Sequence, residues 1–179
     1  MGKRHLFAII VIILTFFIGI FTYNILPEQI ASHWNANGEV DGYMNKFAGL
    51  FLLPIFTTII FLLLIFLPKI DPIRKDAQGF RKEYDTFVFV FTLYMLVIYI
   101  FTILWNLGIK FEMGKFILIT IALLFFYLAK LIEKSKRNWF IGIRTPWTLS
   151  SDKVWEKTHE KGGIIFRFMS LLFLIYYLS

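Results

Sequence analysis

Residues Leu6 to Leu26 read LFAIIVIILTFFIGIFTYNIL, an almost unbroken apolar run in which Tyr23 is the only ionisable side chain. A helix that crosses a bilayer needs roughly 20 such residues, so the run predicts a membrane span. Lys3, Arg4 and His5 precede it. The run is longer than the core of a signal peptide, and no small-x-small cleavage site follows it, so it reads as a retained anchor. Gly2 does not open a myristoylation motif, because Leu6 stands where Ser or Thr is required.

Three further runs repeat the pattern: Phe47 to Leu67, Phe87 to Ile109 and Phe116 to Ile132. A fifth, Ile164 to Leu178, has about 15 residues and spans about 22 Å as a helix. It must therefore extend through Gly162 or Gly163, or sit in a thinned bilayer. The expectation is an all-α fold: a polytopic membrane helical bundle of about five spans, with short interfacial helices in its loops. Residues 1–179 form a single membrane domain. A two-span part (1–67) carries an outer loop (27–46), and a three-span part (87–179) carries an inner loop (133–163). Pro54 lies inside the second span and is expected to kink it or interrupt its hydrogen-bond ladder.

Composition supports lipid as the solvent. The chain is 58 % hydrophobic and only 17 % charged, with 22 phenylalanines and no cysteine. So much apolar surface cannot be hidden inside a water-soluble globule of this size. Without cysteine there are no disulfides, thiolate metal sites or cysteine nucleophiles. The net charge of +7 falls in the loops and comes with no aromatic-basic nucleic-acid module, so no direct nucleic-acid partner is expected. On one side lie Lys3 and Arg4, then Lys69, Arg74, Lys75, Arg81 and Lys82, then Lys134, Lys136, Arg137, Arg144, Lys153, Lys157 and Lys161. The alternate loops hold Lys46, Lys110 and Lys115. By the positive-inside rule the N-terminus and both basic loops are cytoplasmic.

The spans contain little ionisable chemistry. Arg167 is the exception, placed to snorkel to the cytoplasmic headgroups or to mark a pathway inside the membrane. Ion-coupled transport usually needs several buried acidic groups, and the spans lack them.

Two loops carry more specific patterns. In the outer loop, Pro27 suits the first turn of a short helix, on which Ile30 and Trp34 would share a face. His33 lies beside that face, and Asn37 and Gly38 signal a turn. His33 with Glu39 and Asp41 offers an imidazole and two carboxylates, a weak metal pattern. The competing assignment has Asp41 and Asn37 holding turns while His33 bonds locally.

In the inner loop, Asn138, Trp139 and Phe140 suit the headgroup level. Gly142, Ile143, Arg144, Thr145, Pro146, Trp147 and Thr148 follow. Arg144 can fork to a carboxylate or phosphate, or stack on Trp147. The segment Arg144 to Trp147 is expected to form a fixed turn against the Trp155 helix. Ser150 or Ser151 then caps a short amphipathic helix, with Val154, Trp155, Thr158 and Gly162 on one face and Lys153, Lys157 and Lys161 on another. An interfacial helix on anionic lipid accounts for the Trp and Lys pattern.

Catalytic motifs are incomplete. His159 and Glu160 start a zinc-protease pattern, but Gly163 occupies the place of its second His. There is no Gly-x-Ser-x-Gly elbow and no phosphate-binding glycine loop. No cofactor, metal or enzymatic activity is expected.

Leu26-Pro27-Glu28-Gln29-Ile30-Ala31-Ser32-His33-Trp34-Asn35, with Gly38 and Asp41, resembles the N-terminal domain of unknown function carried by many bacterial and archaeal membrane proteins. Asn138, then Gly142 to Thr148, then Trp155, Thr158 and His159, resembles the signature of the SdpI family. The resemblance implies a multi-span protein of the prokaryotic plasma membrane. It further implies immunity to an extracellular peptide toxin and signalling to a cytoplasmic repressor or other protein. It also implies a sixth span beyond the Gly162–Gly163 helix, where this sequence stops at Ser179. From the residues alone, a small membrane carrier or lipid-handling protein is the alternative.

Overall fold

The computed structural model describes residues 2–35, 37–70 and 79–178. Arg74 and Lys75, part of the basic-loop count, lie outside the described residues. The elements are α1 (Lys3–Thr22), β1 (Gln29–Trp34), β2 (Val40–Asn45), α2 (Lys46–Phe66), α3 (Arg81–Asn106), α4 (Met113–Lys134), α5 (Pro146–Ser150) and α6 (Asp152–Leu178). Among the described residues, α1, α2 with its 3-10 extension to Lys69, α3 and α4 are long and apolar enough to cross a membrane. The helical membrane bundle expected from the apolar runs is the fold observed.

α3 is the hub, with α1, α2 and α4 all packed on it, while α4 pairs most extensively with α6. The core has two centres. Ala8, Ile12, Phe61, Tyr84, Val88 and Leu131 meet at one end, and Leu26, Ile30, Leu50, Tyr99 and Ile103 at the other. The rest of the apolar surface faces outward, including Phe17, Phe21, Phe56, Leu123 and Phe168. In water this would drive aggregation; against acyl chains it is the expected exterior.

Helix ends sort into two groups. The start of α1 meets the start of α3 through His5 Nε2, 3.2 Å from Asp85. Tyr127 of α4 donates to the Glu83 carbonyl at 3.0 Å. The 3-10 turn after α2 and residues 135–151 share this basic end. The β1–β2 hairpin and the end of α3 form the other.

α2 runs unbroken through Pro54, so the ladder interruption has a local remedy. Proline has no N–H to give the carbonyl four residues earlier, which leaves the Leu50 oxygen without a helical donor. The Tyr99 hydroxyl of α3 donates to that oxygen at 3.0 Å. The device recurs one helix end away. Pro68 deprives the Leu64 carbonyl, and the Tyr84 hydroxyl donates to it at 2.5 Å. Each rescued carbonyl avoids the cost of a buried unsatisfied acceptor, about 1–3 kcal/mol.

The outer loop is a correction. Residues 29–34 and 40–45 form an antiparallel hairpin, not a short helix. Ile30 and Trp34 are four apart, a spacing that fits one face of a helix and also one face of a strand. The ladder is bulged after Ala31; ahead of the bulge Ile30 and Ala31 are both fully buried, Ile30 against Gly49 of α2 and Ala31 against Asn106 of α3. The turn is built by Asn35, whose Oδ1 accepts from the N–H groups of Asn37 and Glu39 at 2.9 and 3.0 Å. Gly38 supplies the left-handed residue, with φ +77°. Asn106, at the end of α3, completes the edge of β1. It accepts from the Ala31 N–H at 2.8 Å and donates to the Ala31 carbonyl at 3.0 Å.

The fifth apolar segment is also longer than its hydropathy indicates. It is the second half of α6, a continuous helix of 27 residues, about 40 Å at about 1.5 Å per residue. The amphipathic helix and the fifth apolar segment are therefore one element. Ser151 stands at its start, its Oγ accepting from the Val154 N–H at 3.4 Å. Gly162 and Gly163 do not break it. A Cβ at Gly162 would lie 2.6 Å from Ile143 Cδ1, and one at Gly163 would collide with Glu133. The two glycines let α4 and the signature loop approach. Arg167 forms an ion pair with Glu133 at the end of α4.

Candidate functional site

At the basic end, residues 135–162 fold into a hydrogen-bonded knot. Asn138 is its first hub and is completely buried. Its Oδ1 accepts from the Phe140 and Ile141 N–H groups at 2.9 and 2.6 Å. Its Nδ2 donates to the Lys136 and Ile141 carbonyls at 2.8 and 2.9 Å. One amide side chain thus satisfies four backbone groups of an irregular loop, as a buried loop requires.

The second hub is His159. Its Nε2 accepts from the Ile143 N–H at 2.9 Å, which requires a lone pair on that nitrogen. Its Nδ1 lies 2.8 Å from the Trp155 carbonyl and must carry the proton. The contacts fix a neutral ring with hydrogen on Nδ1. The ring stacks on the Trp155 indole, centroids 4.0 Å apart and planes 16° apart. The indole N–H of Trp155 donates to the Ser135 carbonyl at 3.1 Å. Burial lowers the His159 pKa from its ordinary 6.5, partly opposed by the hydrogen bond to the Trp155 carbonyl. Gly142, with φ +121°, passes beside this stack, and a Cβ there would collide with His159 Nε2. Neither imidazole nitrogen is left free for proton transfer or metal ligation.

Thr145, Pro146, Trp147 and Thr148 form the N-terminus of α5. Thr145 is the N-cap and Pro146 takes the first turn, where its missing N–H costs nothing. Thr148 Oγ1 accepts from the Thr145 N–H at 2.8 Å and donates to the Ile143 carbonyl at 2.9 Å. Two threonines in a reciprocal capping box are the physical content of the Thr-Pro-Trp-Thr motif.

The expected turn therefore exists, with two departures. Trp147 is 72 % exposed, so its indole is not buried against the Trp155 helix. Arg144 reaches back to the Trp139 carbonyl at 2.5 Å instead of stacking on Trp147. Trp139, Arg144, Pro146 and Ser150 border a shallow cleft of about 480 Å³. The α6 face is also shifted. Trp155, His159 and Gly162 are buried, whereas Val154 is exposed and Thr158 half-buried.

At the opposite end, His33 Nδ1 pairs with the Asp41 carboxylate, both side chains in the open. Glu39 turns instead to Asn35, whose Nδ2 donates to it at 3.0 Å. Among the described residues no three His, Cys, Asp or Glu side chains gather as metal ligands. Trp34 meets Trp105 edge to face at 5.5 Å, and its indole N–H is buried without an acceptor. Beneath the hairpin a cavity of about 560 Å³ runs between α2 and α4 over α3.

The structure thus unites Asn138, Gly142, Thr145, Trp155 and His159 in one knot, sets Arg144, Pro146 and Trp147 on its exposed rim, and leaves Thr158 at its margin. His33, Trp34, Asn37, Gly38 and Asp41 lie together on the hairpin at the other end. Sequence reasoning missed Asn106 and the His5–Asp85 pair, and quoted Asn35 and Thr148 in their motifs without giving either a role. A lone amide closing a long apolar run was the available signal for Asn106.

These two stations are also what comparison picks out. Residues 10–58, covering most of α1, the hairpin and the first half of α2, match the model of a domain of unknown function, DUF1648. Residues 134–177, the knot and α6, match the SdpI/YfhL protein family. The chain is 25 % identical over 154 residues to the immunity protein SdpI of Bacillus subtilis (strain 168), an alignment covering 86 % of this chain and 72 % of that protein. No solved structure matches the chain.

Proposed function

We propose that this SdpI-like membrane protein, with its N-terminal DUF1648 segment, confers immunity to an extracellular peptide toxin and reports the toxin to a cytoplasmic protein. The observation that carries the reading is the placement of two preformed stations at opposite ends of one bundle. The hairpin is gripped by Asn106 of α3, and the knot is locked to α6 by His159. With the N-terminus cytoplasmic, as the basic residues favour, the hairpin meets the outside. The rim of Arg144, Trp139 and Trp147 meets the cytoplasm. On this reading the protein acts by binding, in keeping with a knot histidine whose two nitrogens are both held in hydrogen bonds.

The carrier reading is weaker on the same grounds. Of its sequence support, the Leu50 carbonyl that Pro54 leaves open is satisfied by Tyr99, and Arg167 is paired with Glu133. Toxin challenge decides. Sensitive cells expressing the chain should survive peptide toxins encoded beside its gene. Cells expressing Arg144→Ala at equal level should lose that protection. Equal killing with and without the wild-type chain removes the immunity function.

A further inference from the structure

The cavity beneath the hairpin has a use that immunity does not supply. It lies where α2 and α4 each pack on α3 but make little contact with one another. The hairpin residues Ser32, His33 and Trp34 roof it, and Ile98 and Thr102 of α3 lie along its floor. Ala48 and Phe56 mark its extent on α2, eight residues or about 12 Å along the helix axis. It therefore descends from the headgroup level into the span. Its lining is overwhelmingly apolar, and its volume of about 560 Å³ falls within the roughly 300–1,000 Å³ of ligand pockets. Its side wall is Leu52 and Phe56, which are about half exposed and belong to the lipid-facing surface of α2. The cavity is thus continuous with the bilayer contact the protein already makes.

We propose that this slot holds one acyl chain of a phospholipid from the leaflet on the hairpin side, as a resident lipid under the hairpin. Water is a poor occupant, because it needs two to four polar partners and the polar side chains of the inner slot, Tyr99 and Thr102, already donate to the Leu50 and Ile98 carbonyls, each at 3.0 Å. An empty slot would forfeit dispersion contacts along its whole length. A chain lying along α2 restores them while its headgroup stays level with Ser32 and His33. The small side chain of Ala48, the first lining residue of α2, leaves the upper part open, while Gly49 lets the buried Ile30 pack against the helix beside it. The proposal goes beyond the immunity reading and stands whether or not the chain protects cells.

The test is photolabelling of the whole chain in phosphatidylcholine–phosphatidylglycerol vesicles containing a phospholipid with a diazirine in one acyl chain. Labelled residues are identified by mass spectrometry. Ile98 and Thr102, on the central helix, should be labelled alongside the outward-facing Phe17 and Leu123. Ala48→Phe fills the slot and should reduce labelling of the floor severalfold without changing it at Phe17. Leu52→Trp, at the lipid-facing mouth where folding is not at stake, should do the same. An unlabelled floor in the wild-type chain overturns the proposal. So does floor labelling that persists in both variants, or floor labelling by an added apolar photoreactive peptide but not by the lipid.

Discussion

The Tyr99 hydroxyl donates to the Leu50 carbonyl, the oxygen that Pro54 leaves without its helical N–H. Tyr99 and Pro54 are therefore a linked pair, though neither is the other's hydrogen-bond partner. Tyr99→Phe should destabilise the bundle by about 1–3 kcal/mol, the cost of a buried unsatisfied acceptor. Pro54→Ala restores the missing donor, so Tyr99→Phe should cost less in that background. Denaturant unfolding in micelles across the four-membered mutant cycle measures the coupling. Additive effects would show that the carbonyl finds another donor.

Asn106 fixes the hairpin to α3 by two bonds to one residue. Asn106→Leu removes both partners of Ala31 while keeping an apolar side chain of similar size. Hydrogen exchange at the Ala31 N–H should accelerate strongly, and exchange in α1 and α4 should not. Uniform acceleration across the bundle would mean that Asn106 supports global stability instead of docking the hairpin.

His159 predicts a pH dependence with a definite sign. Its folded-state pKa lies below the ordinary 6.5, so the unfolded chain takes up the proton first. Its contribution is complete above about 6.5 and is lost as pH falls from there toward the folded-state value. Protonation puts a hydrogen on Nε2, where the Ile143 N–H now donates. Thermal unfolding between about pH 7.5 and about pH 5 should show falling stability, with exchange at the Ile143 amide rising beyond its intrinsic pH trend. His159→Gln should flatten that slope.

Arg144 and Trp147 separate recognition from anchoring. Trp147 is exposed, so Trp147→Ala should change stability by less than about 0.5 kcal/mol. Arg144→Lys keeps the charge but loses the planar fork. If the rim recognises a partner, Arg144→Lys lowers protection in the toxin assay at unchanged expression. Full activity of both variants assigns the rim to lipid contact alone.

Orientation is checked by a reporter fused before Lys3. It should be active only in its cytoplasmic form. A signal from outside the cell reverses both stations and removes the hairpin as the site of toxin contact.

The spans were legible because length and hydropathy encode them directly, as in the run from Leu6 to Leu26. The hairpin was not, because Ile30 and Trp34 satisfy both periodicities and Asn37-Gly38 marks a turn without naming its builder, Asn35. The fifth span was expected to extend through Gly162 or Gly163; that this extension makes it one helix with the Trp155 segment, and that both glycines serve close approach, was not legible. At the knot, the residue types were visible and their roles were not. His159 looked like half a zinc motif, whereas its tautomer is set by an amide sixteen residues away. Such partnerships depend on backbone groups, which carry no residue identity in a sequence.

The unbroken course of α6 has a mechanical side. Trp155 is clamped to Ser135, and fifteen residues further along the same helix Ser170 is pinned to Ala122 in the middle of α4. Between these clamps lies a stiff rod about 22 Å long with no hinge. One continuous helix therefore couples the position of the knot to that of the middle of α4.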